Sequence, residues 1–302
     1  MRVRLLGTAA GGGFPQWNCR CRNCQGLRSG ALRARPRTQS CVAVSADERH
    51  WFLLNASPDI RVQIESFAPL PPNKGMRGSN IEGVLLTNAD LDHTLGLFVI
   101  REGQPLCVYA TASVRRALDE GLRLSPVLER YCGIEWREPS PDPAPLRCRD
   151  GSPSGLLVSA FPLPGKSPRY LENKQDVPST GYRVVDQRTG GRLVFMPDLS
   201  ALAGEALAQA RDCDVLLLDG TFWSDDEMHR AGVGETSAGK MGHLPVGGPA
   251  GSLQIIRALP APRKIYLHIN NTNPMLIEDS PEHREVLNAG VEIAYDGMEL
   301  SL

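Results

Sequence analysis

Short apolar runs rich in leucine and β-branched residues recur along the chain. They are Arg2–Leu6, Cys41–Val44, Trp51–Asn55, Gly83–Thr87, Leu106–Tyr109, Leu156–Pro162, Tyr182–Val185, Arg192–Met196, Val215–Leu218, Lys264–Leu267 and Glu292–Tyr295. Runs of this length are those of buried strands. Between them, apolar residues return at helical spacing over Ser57–Ser66, Thr94–Arg101, Ala112–Arg123, Ser200–Ala210 and Ser280–Ala289, the last opened by a Ser280 cap and Pro281 in the first turn. Strands and helices do not alternate regularly, which predicts packed sheets with helices outside rather than a doubly wound sheet or a barrel. The proline-rich stretches Pro69–Pro72 and Pro139–Pro145 show no composition shift on either side, so they are read as rigid surface loops within one domain spanning 1–302.

A net charge of −1 gives no field that would recruit nucleic acid or an anionic membrane. No segment approaches the roughly 18–20 apolar residues of a membrane span. The N-terminal MRVRLLGTAAGGG breaks into glycines too early for a secretory signal, and the cytoplasm is the expected compartment. In that reducing setting eight cysteines argue for thiols and metal, not for disulfides.

Chemistry-bearing residues gather directly after predicted strands, where loops are displayed on a rigid scaffold. The stretch Asn88-Ala-Asp90-Leu-Asp92-His93 can turn three oxygen side chains to one side, because alternate residues of an extended segment point the same way. His93 would enter from the following helix. Helix capping alone is the competing reading for these residues. His268 opens the amide-rich loop His268-Ile-Asn-Asn-Thr-Asn-Pro274, and Asp198 follows the strand ending at Met196 as either a ligand or a helix cap. Separately, Cys19-Arg-Cys21-Arg-Asn-Cys24 can bring three thiolates to one tetrahedral zinc. Cys41, His50, His243, Asn271 or a second subunit are the options for its fourth ligand.

Taken together, these motifs resemble the metallo-β-lactamase superfamily, whose HxHxDH signature the 88–93 loop carries in altered form. Along nearly the whole chain they resemble the branch of it that serves pyrroloquinoline quinone (PQQ) biosynthesis. The match runs through Leu5–Cys21, Ser57-Pro-Asp-Ile-Arg61, Asp219-Gly-Thr-Phe-Trp223, Met241-Gly-His-Leu-Pro245 and His268–Pro274. The resemblance implies a four-layer αββα sandwich of the α+β type, with an N-terminal zinc-binding insertion at about residues 15–30 that is associated with homodimers. It places Asn88 and Asp90 where the superfamily has its first two histidines, and Asp92 and His93 at the second metal position. Lys166 stands where another histidine is expected, Asp198 at the bridging carboxylate, and His268 at the last histidine. Asp219 and His243 resemble an acid–histidine pair that assists chemistry.

An ammonium has no lone pair to give a metal, so Lys166 breaks the first-metal cage. His93, His268 and Asp92 then leave the two-histidine, one-carboxylate set of non-haem Fe(II) oxygenases. Asp90, Asn88 and Asp198 are further candidate ligands, and zinc or manganese the alternative ions. The family context implies O2-dependent hydroxylation of the tyrosine ring of a cross-linked Glu–Tyr diamino acid derived from a precursor peptide, alongside other PQQ biosynthesis proteins. Lys166, Arg169 and Tyr170 are candidates for binding that substrate's carboxylates. A second reading makes the protein a non-catalytic carrier of PQQ or its precursor toward the periplasm.

Overall fold

The computed structural model describes residues 1–71, 76–171 and 177–302. The predicted Pro69–Pro72 loop therefore ends outside the described residues. Strands β1 (Arg2–Gly7), β2 (Cys41–Ser45), β3 (Trp51–Leu54), β4 (Ile81–Leu85), β5 (Leu106–Tyr109) and β6 (Ile134–Arg137) form the first sheet. The second contains β7 (Ala144–Arg147), β8 (Pro153–Leu163), β9 (Ser179–Asp186), β10 (Arg192–Met196), β11 (Val215–Asp219), β12 (Arg263–Leu267) and β13 (Glu292–Ile293). The last strand, β14 (Glu299–Ser301), returns to the first sheet beside β1.

The strand orders are β14-β1-β2-β3-β4-β5-β6 and β13-β12-β11-β10-β9-β8-β7. Each sheet joins a parallel half, β3 to β6 or β10 to β13, to an antiparallel half. The central parallel strand β11 is buried on both faces, which is why it reads as the uninterrupted Val215-Leu-Leu-Leu-Asp219. Three apolar clusters mark the three interfaces of four layers. Leu5, Phe52, Tyr182 and Phe195 lie between the sheets. Met196, Leu218, Leu253 and Val286 join the second sheet to its helices, and Leu53, Val84, Leu97 and Leu118 do so for the first. The expected αββα sandwich is what forms.

Expectations change at particular elements. The Pro139–Pro145 loop ends inside β7, where Ala144 and Pro145 pair with β8. β7 is an edge strand, and an edge tolerates a residue with no N–H to give. The predicted Ser200–Ala210 helix starts only at Gly204, with Ala203 before its first turn. Asp198 is therefore not its cap. The short helix Arg22–Ser29, which includes Cys24, holds only Cys24 and Leu27 as apolar residues, too few for it to be read from sequence.

The loop bearing His93 is held by a close backbone approach. Ala56 N–H donates to the His93 carbonyl at 2.8 Å, and Gly96 N–H to that of Ala56 at 2.9 Å. A Cβ on Gly96 would lie 2.4 Å from the Ser57 carbonyl oxygen and 2.6 Å from that of Ala56. Backbone on both sides leaves little room to yield, so Gly96→Ala is expected to cost about 1–3 kcal/mol as an overpacking change. Denaturant titration checks this; an unchanged midpoint would mean the loop relaxes freely.

Candidate metal centre

The parallel strands deliver their C-terminal loops to one end of the sandwich, the usual place for ligand binding in sheets of this kind. β4 supplies Asn88, Asp90, Asp92 and His93; β10 supplies Asp198, β11 ends in Asp219, and β12 leads into His268. Asn88, Asp90, Asp92, Asp198 and His268 line a cavity of about 610 Å3, and buried His93 and Asp219 are hydrogen-bonded to the lining residues Asn88 and His243. Its buried end holds Asn88, Asp198 and His268, while exposed Lys166, Arg169 and Lys240 stand at its opening.

The bonds among these residues define which atoms are free. His93 is fully buried, and its Nδ1 lies 2.9 Å from Asn88 Oδ1. Nδ1–H therefore donates to the amide oxygen and the lone pair sits on Nε2. Among the described residues Nε2 has no hydrogen-bond partner. At His268, Nδ1 lies 2.8 Å from Thr221 Oγ1, whose hydroxyl donates to Asp219 Oδ1 at 2.6 Å. That leaves His268 Nε2 facing Asp92 Oδ2 at 3.1 Å. The His93 and His268 rings stand edge to face with centroids 5.0 Å apart. One donor atom each from Asp92, His93 and His268 lies within 4.8 Å of the others, and the same holds for Asp198, His243 and His268.

A buried, unpartnered imidazole nitrogen is costly unless something fills it. Here it points into a triangle of donors whose outer nitrogens are already fixed, the arrangement typical of metal-ligating histidines. The donor set fits a divalent first-row cation. His268 also has φ +55°, a left-handed conformation rare outside glycine and frequent at functional sites. Asn270 N–H to the Thr221 carbonyl (3.0 Å) and Ile269 N–H to that of Thr8 (3.0 Å) hold the chain in it.

The charges agree. Burial, reinforced by Asp92 and Asp198, pushes the Asp90 carboxyl up to about 7. For Asp92, burial opposes ionisation but is outweighed by His93 and His268, so its pKa falls below the usual range. Burial would lower His268, yet Asp198, Asp92 and Asp219 overcome it and raise the imidazolium pKa to about 10. His243 is likewise raised against its burial by Asp219, whose Oδ2 lies 2.8 Å from Nδ1. His93 is lowered, mainly by burial.

Other predicted site residues fall as follows. Asp90 occupies the position before the helix Leu91–Thr94, but its side chain makes no capping bond and lines the cavity. Asn88 gives both amide hydrogens away, to Asp90 Oδ2 at 3.0 Å and Asp198 Oδ2 at 2.9 Å. Lys166 Nζ donates to the carbonyls of Gly239 (2.8 Å) and Lys240, tying down the segment before His243. Tyr170 does not line the cavity; its hydroxyl donates to the Ala89 carbonyl at 2.6 Å. Arg169 lines the cavity and is exposed. Sequence reading assigned no role to Thr221, which fixes His268, or to Lys240 at the opening. Thr221 sits in the noted Asp219-Gly-Thr221 stretch, but its partner is 47 residues away.

At the second cluster, Cys19, Cys21 and Cys24 hold sulfurs within 4.8 Å of one another. Cys21 N–H donates to Cys19 Sγ at 3.3 Å and Gln16 N–H to Cys24 Sγ at 3.4 Å. Burial opposes a Cys19 thiolate, but hydrogen bonds from the Cys21 N–H and from the side chains of Cys21, Cys24 and Asn271 win and lower its pKa. Burial pushes Cys21 up to about 12. Asn271 covers the triangle, its Nδ2 at 3.2, 3.5 and 3.3 Å from the three sulfurs. Turned about its last torsion, the same carboxamide presents an oxygen, so the set fits zinc. Of the other options, Cys41 Sγ donates to the Asn55 carbonyl, His50 pairs with Asp47, and His243 with Asp219.

Residues 50–269 match the model of the β-lactamase superfamily domain. Coenzyme PQQ synthesis protein B of Pseudomonas putida (strain GB-1) is 45% identical, and that of Methylococcus capsulatus (strain Bath) is also 45% identical, each over the full length of both chains. The crystal structure of Zn(2+)-bound PqqB from Methylobacterium extorquens superposes with a TM-score of 0.90 at 39% identity, covering all of both chains. A diphosphatase of the PhnP family, 20% identical with a TM-score of 0.70, shares the fold. With its sandwich, its cysteine cluster and its altered metal loop, the chain belongs to the coenzyme PQQ synthesis protein B family of the β-lactamase superfamily.

Proposed function

We propose that the protein acts in PQQ biosynthesis as an oxygenase using one Fe(II), held by His93 Nε2, His268 Nε2 and an oxygen of Asp92, with Asp90 and Asp198 as accessory oxygen donors. The buried, partnerless His93 Nε2 facing His268 and Asp92 is the observation that carries this reading. Two imidazoles and one carboxylate leave coordination positions open toward the cavity, the facial arrangement of non-haem iron oxygenases. Bound iron would supply O2 activation.

The protein's own groups do the rest. Buried Asn88, Asp198 and His268 line the inner end of the cavity, where charge interactions are stronger than in bulk water. The Asp219–His243 pair, next to Asp198, can accept or return a phenolic proton. Arg169 and Lys166 at the opening favour a substrate rich in carboxylates, the tyrosine-containing Glu–Tyr diamino acid of the pathway. A two-metal hydrolase is disfavoured, because Lys166 and a fully bonded Asn88 stand where a second cage needs donors. The cysteine cluster is assigned a structural zinc and a contribution to a homodimer.

The test is anaerobic loading with Fe(II), then O2, the diamino acid and ascorbate as two-electron reductant. One oxygen atom should enter the ring as the other leaves as water, giving a product heavier by one oxygen that carries label from 18O2. Tight quinone binding with no such product would replace this reading by a carrier.

A pH dependence follows from the charges. His268, raised to about 10, and Asp90, raised to about 7, must give up protons before they ligate. Divalent-ion affinity should therefore rise with pH between 6 and 8, by roughly tenfold per unit for each proton displaced. Calorimetry in buffers of different ionisation enthalpy counts those protons; a pH-independent Kd with no proton release would contradict the assignment.

A further inference from the structure

Asn88 stands where the superfamily has a metal-ligating histidine, yet its carboxamide has nothing left to offer a metal. Its oxygen accepts from Asp90 N–H at 3.1 Å and from His93 Nδ1–H at 2.9 Å. Its nitrogen donates to Asp90 Oδ2 at 3.0 Å and Asp198 Oδ2 at 2.9 Å. Two acceptor sites and two donors are the full capacity of an amide. The side chain is buried, so water does not compete for these bonds.

The geometry points to Asn88 as a positioning residue that sets the tautomer of His93 and holds Asp90 and Asp198 apart at the metal, without ligating it. This rests on the reading of His93, His268 and Asp92 as the metal site. Only an amide does both jobs at once, accepting from the imidazole on one side and donating to carboxylates on the other. A carboxylate here would face two others of like charge. With alanine, His93 Nδ1–H is left with Thr87 Oγ1 and Asp198 Oδ2, each at 3.3 Å. Turning to Asp198 would then draw that carboxylate away from the cavity.

The experiment measures Co(II) affinity and the visible ligand-field spectrum of zinc-clipped full-length protein, with thermal melting as a folding control. Asn88→Ala is expected to weaken Co(II) binding by about 10–100-fold, the range for outer-shell partners of metal-bound histidine, and to shift the spectrum. Asn88→Asp separates positioning from ligation. An added carboxylate ligand would tighten binding, whereas loss of the two amide donors weakens it. Weaker binding in both variants, in protein that still melts cooperatively, supports the inference. Unchanged affinity and spectrum in Asn88→Ala, or tighter binding in Asn88→Asp, overturns it. His268→Ala in the same assay keeps the two questions apart: if it leaves cavity binding intact, the underlying metal site is what fails.

Discussion

His268→Ala is expected to abolish divalent-ion binding in the cavity, and oxygen insertion with it, while zinc remains at the cysteines. Three consequences of the change act together. The ligand nitrogen disappears; Asp92 loses its partner at 3.1 Å; and the Thr221–Asp219 relay loses the ring it orients. The fall in affinity should exceed about 100-fold, the upper end of what outer-shell changes alone cost. The protein without metal is affected too. An imidazolium held at about 10 by Asp198, Asp92 and Asp219 offsets their charge, and removing one partner of a buried charge set costs about 3–5 kcal/mol. His93→Ala is the companion variant: its Nε2 has no protein partner to orphan among the described residues, while Asn88 Oδ1 loses the Nδ1–H donor. Native mass spectrometry of both variants should show one zinc and no cavity ion. Retention of the cavity ion in both would remove the oxygenase reading, since the metal would have to be held elsewhere.

Much of the fold is legible because apolar runs end where loop chemistry begins. β4, β10 and β12 are short strands that end in apolar residues, and each runs directly into a loop that carries site residues. Asp92, His93, His268 and Asp198 could be named for that reason. Which atoms they use could not, because tautomer and charge are set by partners distant in sequence. Asn88 bonds Asp198 across 110 residues, and His268 meets Asp92 across 176. Asn88 therefore looks like a ligand from its spacing and proves saturated by contacts invisible to spacing. Tyr170 reads as a phenol near the opening, yet Ala89 takes its hydroxyl. The left-handed His268 has no local signature, since no glycine marks it. β7 was hidden by its proline, which only an edge position makes acceptable.

Cys21→Ser is expected to do more than release the structural zinc. Read separately, the two metal motifs predict independent losses, but the structure joins them through one short loop. His268 turns its ring into the cavity, and three residues later Asn271 lies on the three sulfurs. Asn23 Nδ2, on the helix of the cysteine cluster, clamps the same loop by donating to the carbonyls of Asn271 at 3.1 Å and Asn273 at 3.0 Å. Zinc at the thiolates would thus stabilise a segment that must also keep His268 at φ +55°, a conformation that costs roughly 1–3 kcal/mol unless its surroundings enforce it. Removing the zinc should lower global stability by about 3–5 kcal/mol, at the upper end of single-substitution effects, where loss of a metal belongs. It should also weaken the cavity ion by about 5–50-fold, a coupling of ordinary size between linked sites. Linkage requires reciprocity: filling the cavity must tighten zinc at the cysteines by the same factor, which chelator competition with and without a cavity ion measures. If Cys21→Ser loses its zinc and the cavity Kd stays at the wild-type value, the loop holds His268 without help from the clip, and the two sites are energetically separate.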